Sequence, residues 1–291
     1  MFPAGDSRFT TSYHTLPLKT GATTVRAIES GDPNARHVIV CVHGWACSVY
    51  SFRRLMPLLA DAGMRVIAID LPGHGLSDKP GDARFYTLDA QVECVLAMMD
   101  AIGVSRAILV GHSMGGPICA RAAVLAPDRV AALALLAPAG FGTEWELGIL
   151  RAITPRAVAP LLPRLLHRWM IALVFRMVYG RLYRPTAQDV DEYWAPSQFP
   201  GFVRAMWDLL HCFEWSAGID QGFAGISAPT AIMDGQRDNL VVRRWVRRYA
   251  EVVPHASLTL IDGCGHVVPE EAPELVTQAI GGLISYLLVS K

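Results

Sequence analysis

The residues with the clearest chemical potential stand in Gly111-His112-Ser113-Met114-Gly115. An apolar run, Ala107-Ile-Leu-Val110, precedes them, and a stretch at helical spacing from Gly115 to Ala126 follows. A strand-to-helix turn this sharp strains the backbone of its middle residue, and only glycine fits two positions to either side. The Ser113 hydroxyl is thereby thrust out at a helix N-terminus, where free amides and the helix dipole favour negative charge. That arrangement suits a nucleophile. A serine hydroxyl attacks well only when a base takes its proton and a third group holds that base in the right tautomer.

Among the nine histidines, His266 is the expected base. It lies in Gly263-Cys-Gly-His-Val-Val-Pro-Glu-Glu-Ala-Pro273, a glycine-flanked loop after the last expected strand. His112 is expected to point away from the serine and to pack in the core. His14, His37, His167, His211 and His255 have no motif that would place them. The stretch Met233-Asp-Gly-Gln-Arg-Asp-Asn-Leu-Val241 offers two carboxylates for orienting the base. Asp238, deeper in the loop, is preferred, and Asp234 is expected to cap the turn at Gly235. The order Ser113, Asp238, His266 suits acyl transfer through a covalent intermediate. Its oxyanion would need two backbone donors, for which the amides of Met114 and of Trp45, in His43-Gly44-Trp45, are the candidates.

The elements that must position these groups alternate in type. Strand-like runs at 37–42, 65–70, 107–110, 130–136, 229–233 and 257–261 are separated by helical patterns near 51–62, 88–102, 115–126 and 241–252, with a last helix from about Pro273. Continuously apolar strands alternating with helices indicate an α/β protein with a mostly parallel, doubly wound sheet. The rhythm breaks between Phe141 and about Gly225, where only proline-interrupted helical patterns occur. The expected organisation is a core of residues 1–140 and 226–291 with an inserted helical cap at 141–225.

Composition narrows the function. The chain has 291 residues, 52% hydrophobic, with 26 basic and 26 acidic side chains and a mean hydropathy of +0.30. Zero formal net charge argues against nucleic-acid binding, which needs a basic excess. No segment reads as a targeting signal, and no apolar run reaches the ~18 residues of a membrane span. The six cysteines form no CxxC pair, so neither a disulfide framework nor a structural zinc is expected. The expectation is a soluble cytoplasmic protein without metal or cofactor.

With these stretches in hand, the sequence resembles the α/β-hydrolase fold superfamily over nearly all its length. His43-Gly44-Trp45, Asp70-Leu-Pro-Gly-His-Gly-Leu-Ser77, Gly111-His-Ser-Met-Gly-Gly116 and the Asp238 and His266 loops come in the family's order. The resemblance implies Ser113 as nucleophile, His266 as base and Asp238 as orienter, with His74 and Ser77 supporting the oxyanion side. It departs at Val242, where the family often has proline four residues after the acid. Haloalkane dehalogenases and epoxide hydrolases of this fold carry Asp at the nucleophile position. Serine there argues against both activities and for hydrolysis of a carboxylic ester, lactone or thioester. C–C bond hydrolases, perhydrolases and acyltransferases share the triad, and a non-catalytic accessory protein on this fold is a further alternative.

The insert carries the clue to specificity. Five of the seven tryptophans fall in it, at 145, 169, 194, 207 and 215, and Gly148 to Arg184 holds seven arginines and no acidic residue. Trp45, Trp145, Trp169 and Trp207 are the candidate substrate-binding residues for a hydrophobic acyl group. Leu165, Leu166, Trp169, Met170, Leu173, Val174 and Met177 fall at helical spacing. They fit an apolar pocket, a basic face touching anionic lipid at the membrane periphery, or a helix packed on the core with solvated arginines.

Overall fold

Eight strands build one sheet in the order β1-β2-β4-β3-β5-β6-β7-β8 in a computed structural model that describes residues 2–3, 5–141, 148, 151–152, 154, 167–216 and 222–289. They are β1 (Thr10–Leu18), β2 (Gly21–Ser30), β3 (Val38–Val42), β4 (Arg65–Asp70), β5 (Ala107–His112), β6 (Val130–Leu136), β7 (Thr230–Gly235) and β8 (Ser257–Ile261). From β3 to β8 every pairing is parallel, while β1 with β2 and β2 with β4 run antiparallel. The helices are α1 (Leu55–Asp61), α2 (Leu88–Ala101), α3 (Gly115–Leu125), α4 (Arg168–Val178), α5 (Ala187–Trp194), α6 (Phe202–Cys212), α7 (Arg243–Val252), α8 (Val268–Glu271) and α9 (Pro273–Val289).

Alternate residues of each central strand serve opposite faces, which is why the strands read as unbroken apolar runs. Val40, Val42, Ile67, Leu109 and Leu133 join one core with Val92 and Val95 of α2, Ile118 of α3 and Tyr249 of α7. Ile39, Cys41, Val66, Val110 and Ala134 join the other with Leu55 and Leu59 of α1 and Val276 and Ile280 of α9. Helices thus cover both faces of the sheet.

Two local features depart from the sequence expectation. The first is the N-terminal hairpin of β1 and β2, unmarked by any apolar run. β1 is an edge strand with alternating exposure, and an edge strand tolerates proline such as Pro17 where the N–H would face away from the sheet. The second is the late start of α1 at Leu55, where 51–62 had suggested one helix. Pro57 has no N–H to bond the Arg53 carbonyl and its ring would clash there, so Val49–Phe52 forms a separate 3₁₀ turn.

Between β6 and β7, the described residues hold α4, α5 and α6 and no strand. These helices join the loops at the carboxyl ends of the parallel strands. The Val178 carbonyl accepts from the His266 amide at 2.7 Å, the Gly263 carbonyl from the Arg181 amide at 2.6 Å, and the Met206 carbonyl from the Trp45 indole at 3.2 Å. Among the described residues, no helix is long and apolar enough to cross a membrane.

Candidate active site

β5 ends at His112, and the next residue turns the chain into α3. Ser113 there has φ of 52°, the left-handed region that a side-chain-bearing residue enters at a cost. The turn is held from both sides: the Ser113 amide donates to the Leu136 carbonyl at 2.9 Å, and its carbonyl accepts from the Gly116 and Ala139 amides at 2.9 and 3.1 Å. A Cβ on Gly111 would lie 2.3 Å from the Gly115 carbonyl oxygen, and one on Gly115 would lie 2.1 Å from that of Val42. The motif's glycines are therefore a packing requirement of the turn.

The loop after β3 also passes close, since a Cβ on Gly44 would approach the Ser113 Cβ to 3.0 Å. The buried His43 shapes this loop. Its Nε2 accepts from the Leu71 amide at 3.1 Å, which leaves Nδ1–H to donate to the Gly44 carbonyl at 2.8 Å. Burial holds His43 below the usual imidazole range, so the neutral tautomer these bonds demand is the stable one. His74 packs edge-on against it, with ring centroids 4.7 Å apart. Asp70 locks the neighbouring turn by accepting from the Val49 and Leu76 amides, and Ser77 Oγ donates to the Asp70 carbonyl at 2.6 Å. Among the described residues, the Trp45 and Met114 amides, which flank Ser113 in space and in sequence, donate to no protein acceptor.

The loops after β7 and β8 bring the remaining two groups together. His266 Nδ1 bonds Asp238 Oδ2 at 2.7 Å, and both side chains are buried. Asp238 Oδ1 in turn accepts from the Leu240 and Val241 amides at 2.7 and 3.0 Å, which fixes the carboxylate's orientation. Burial opposes charge on His266, but the Asp238 carboxylate overrides it and raises the imidazole above its ordinary value. Burial likewise opposes charge on Asp238, and the His266 contact outweighs it, holding the carboxyl below its usual range. Asp238 thus makes His266 a stronger base and fixes the proton on Nδ1, leaving Nε2 free to accept.

Three residues that the sequence did not single out as partners steady the His266 loop. His112 donates from Nε2 to the His266 carbonyl at 3.0 Å, its ring 5.1 Å from that of His266, and burial pushes it down to about 3. Glu271 of α8 accepts from the Gly265 and Gly180 amides at 2.7 and 2.8 Å, tying the loop to the insert. At Gly235 a Cβ would lie 2.1 Å from the Gly265 carbonyl oxygen, so the end of β7 presses directly on the loop. The only sequence hint for Glu271 was its place in the stretch following His266.

Asp234 does not cap its turn as expected. The Gly235 amide bears on it electrostatically without reaching hydrogen-bond geometry, and neither carboxyl oxygen accepts from any described donor.

The tryptophans divide. Trp45 is half-buried, bonded to α6 and edge-on to Trp215 at 6.1 Å, beside the Ser113 turn. Trp207 stacks on His211 at 4.0 Å and donates to the Thr154 carbonyl, so its polar edge is engaged within the insert. Trp169 is 63% exposed on the outer face of α4 and is not brought to the site. Trp145 lies outside the described residues. No group of histidine, cysteine, aspartate and glutamate among the described residues could hold a metal ion.

Comparison with known proteins agrees with this architecture. Residues 37–172 match the family described as the alpha/beta hydrolase fold. The chain is 29% identical over 257 residues to an uncharacterized hydrolase, YugF, of Bacillus subtilis, covering 86% of this chain and 90% of that one. It is 28% identical over 306 residues to epoxide hydrolase A of Mycobacterium tuberculosis, covering 90% and 94%. A thermophilic esterase from Thermogutta terrifontis shares the fold with a TM-score of 0.77 at 23% identity, covering 96% and 99%. By its sequence match over residues 37–172 and by the order of its strands, this chain has the α/β-hydrolase fold.

Proposed function

We propose that the protein is a serine hydrolase that cleaves a carboxylic ester with an apolar acyl part. Ser113 attacks the ester carbonyl as His266 takes its proton through Nε2. The tetrahedral oxyanion is held by the Trp45 and Met114 amides, and collapse expels the alcohol with the proton from His266. Water, activated by the same imidazole, then releases the acid and regenerates the serine. Asp238 steadies the imidazolium formed twice in this cycle.

The observation that carries this reading is the strained Ser113 turn at the N-terminus of α3, with the 2.7 Å His266–Asp238 pair in the loops after β7 and β8 at the same edge of the sheet. Serine also distinguishes this chain from epoxide hydrolases of the fold, which place a carboxylate nucleophile there. Two undonated amides against the turn suit the oxyanion, each such donor being worth about 3–4 kcal/mol in the transition state. The apolar acyl preference rests on Trp45, next to Gly44, with Trp215 and Met206 against its indole, and on a stretch without acidic residues from Gly148 to Arg184. A fluorophosphonate probe tests the nucleophile: it should label the native protein stoichiometrically and leave Ser113→Ala unlabelled. A series of p-nitrophenyl esters tests the acyl preference through a kcat/KM that rises with chain length. Labelling at another residue, or turnover that survives Ser113→Ala, would overturn the reading.

A further inference from the structure

Asp234 is a buried carboxylate at the sheet's carboxyl edge that the proposed chemistry leaves unused. It is the penultimate residue of β7, 1% exposed, and no amide, hydroxyl or other described donor reaches either of its oxygens. The group that bears on it most strongly is another acceptor, the Asp238 carboxylate, and His266 comes next. Cys264 of the β8 loop bears on both aspartates and lies with its sulfur 3.9 Å from a Glu271 carboxyl oxygen of α8, and His112 of β5 bonds the His266 carbonyl. Two buried carboxylates in contact cannot both stay ionised, and a buried acceptor without a donor is costly. A single proton between them resolves both problems.

We propose that Asp234 is a positioning residue behind the base, sharing one proton with Asp238 so that the pair presents a single negative charge to His266. This rests on the serine-hydrolase reading for its kinetic consequences, but the shared proton itself does not. Burial, followed by the Asp238 charge, pushes Asp234 up to about 7, so the shared proton leaves near neutrality. The second negative charge then strengthens His266 as a base. Asp234 also stands ready as a substitute: when Asp238 is neutralised, Asp234 remains a carboxylate next to the imidazole.

The test is a cycle of Asp234→Asn, Asp238→Asn and the double variant, assayed on a soluble p-nitrophenyl ester across pH. Asp234→Asn should retain most of its activity at its own optimum while the acid limb of kcat/KM moves down by about one pH unit, the shift expected on losing a neighbouring charge. Asp238→Asn should fall short of the roughly 10⁴-fold loss typical when a triad aspartate becomes asparagine. The double variant should lose at least a further tenfold. An acid limb that superimposes on the native one, with a double variant no worse than Asp238→Asn, would overturn the proposal. Two readouts need neither turnover nor a substitution in the aspartate pair. In native protein and in Ser113→Ala, histidine NMR should show His266 titrating in two steps, one of them near neutrality. Infrared spectra of the native protein should show a protonated carboxyl C=O band that disappears over the same pH range. A single-step His266 titration without that band would exclude the shared proton, even if Ser113 proved to be the nucleophile.

Discussion

At the carboxyl edge of the sheet, the side chains of His43, His112, His266, Asp238 and Glu271 are buried and each residue is held by named hydrogen bonds. On α4 the reverse holds: Trp169, Leu173, Val174 and Met177 stand 63%, 51%, 48% and 52% exposed, with Arg176 beside them on the same surface. The first region spends its polar groups on orientation, and the second leaves apolar groups facing water. Chemistry requires atoms held within tenths of an ångström, which only packed strand ends supply. Selection of an apolar substrate requires accessible apolar surface, which a packed core cannot offer. The division predicts that substitutions at the edge act on turnover and those on α4 act on which substrate is taken.

The largest effect should come from the edge. Ser113→Ala should lower kcat on any accepted ester by about 10⁴- to 10⁶-fold with KM little changed, because only transition-state stabilisation is removed. Steady-state kinetics on one short and one long p-nitrophenyl ester checks this. A loss confined to the long ester would erase the distinction between the two regions.

The regions meet at a buried ionic cluster. Arg53, before α1, pairs with Asp189 of α5 and with Glu270 of α8, both at 2.5 Å. The hydroxyls of Tyr50 and Tyr183 donate to Asp189, and those of Tyr179 and Tyr193 donate to Glu270. Burial opposes charge on Glu270 and raises it, but Arg53 and the hydroxyls counter that cost. Removing the guanidinium leaves two buried carboxylates without their cation. Arg53→Met should therefore cost about 3–5 kcal/mol, read from denaturant unfolding. If the cluster is the joint between core and insert, this variant should also raise KM for long esters more than for short ones. An equal change for both would mean that it stabilises only the core.

The alternating strands and helices, the Ser113 turn and the His266 and Asp238 loops could all be read from the sequence, because each depends on local pattern. The elbow is fixed by three residues and two glycines within five positions. What could not be read depends on contacts distant along the chain. Arg53 and Glu270 are 217 positions apart, and nothing local marks either as half of a pair. β1 and β2 were invisible because an edge hairpin needs no apolar run. A following glycine marks Asp234 as a turn cap in the sequence, and only three-dimensional proximity to Asp238 reveals a carboxylate without a donor.

A smaller effect, one of stability, follows from that proximity. In the unfolded chain Asp234 would ionise in the ordinary carboxylate range, while in the folded protein burial and Asp238 push it up to about 7. The folded state therefore holds a proton that the unfolded state releases between those two values. The resulting stability is fully present at low pH and is lost as pH rises through about 7. Asp234→Asn removes the penalty of ionising a buried carboxylate, so its melting temperature should exceed the native one above neutrality. The difference should narrow as the medium is acidified. Parallel thermal unfolding at pH 5 and pH 9 decides it: a deficit equal at both values would mean that the carboxyl matters only for packing.

The smallest effect on turnover is expected on α4, and it is the most telling for the comparison. Trp169→Ser with Leu173→Ser removes two large side chains that are more than half exposed. Little packing is lost, so stability should stay within about 0.5 kcal/mol of native. Turnover of a short, soluble ester should change by no more than about twofold. Hydrolysis of a long-chain ester presented as an emulsion should fall several-fold if the exposed apolar face is where such substrate is gathered. If both substrates suffer alike, α4 supports the catalytic edge through the Val178 carbonyl and the His266 amide that join them, and the insert is part of the catalytic scaffold. If neither changes, the exposed face of α4 has no part in selecting the ester, and selection must lie with Trp45, next to the Gly44 that abuts the Ser113 turn, and with Trp215 against it.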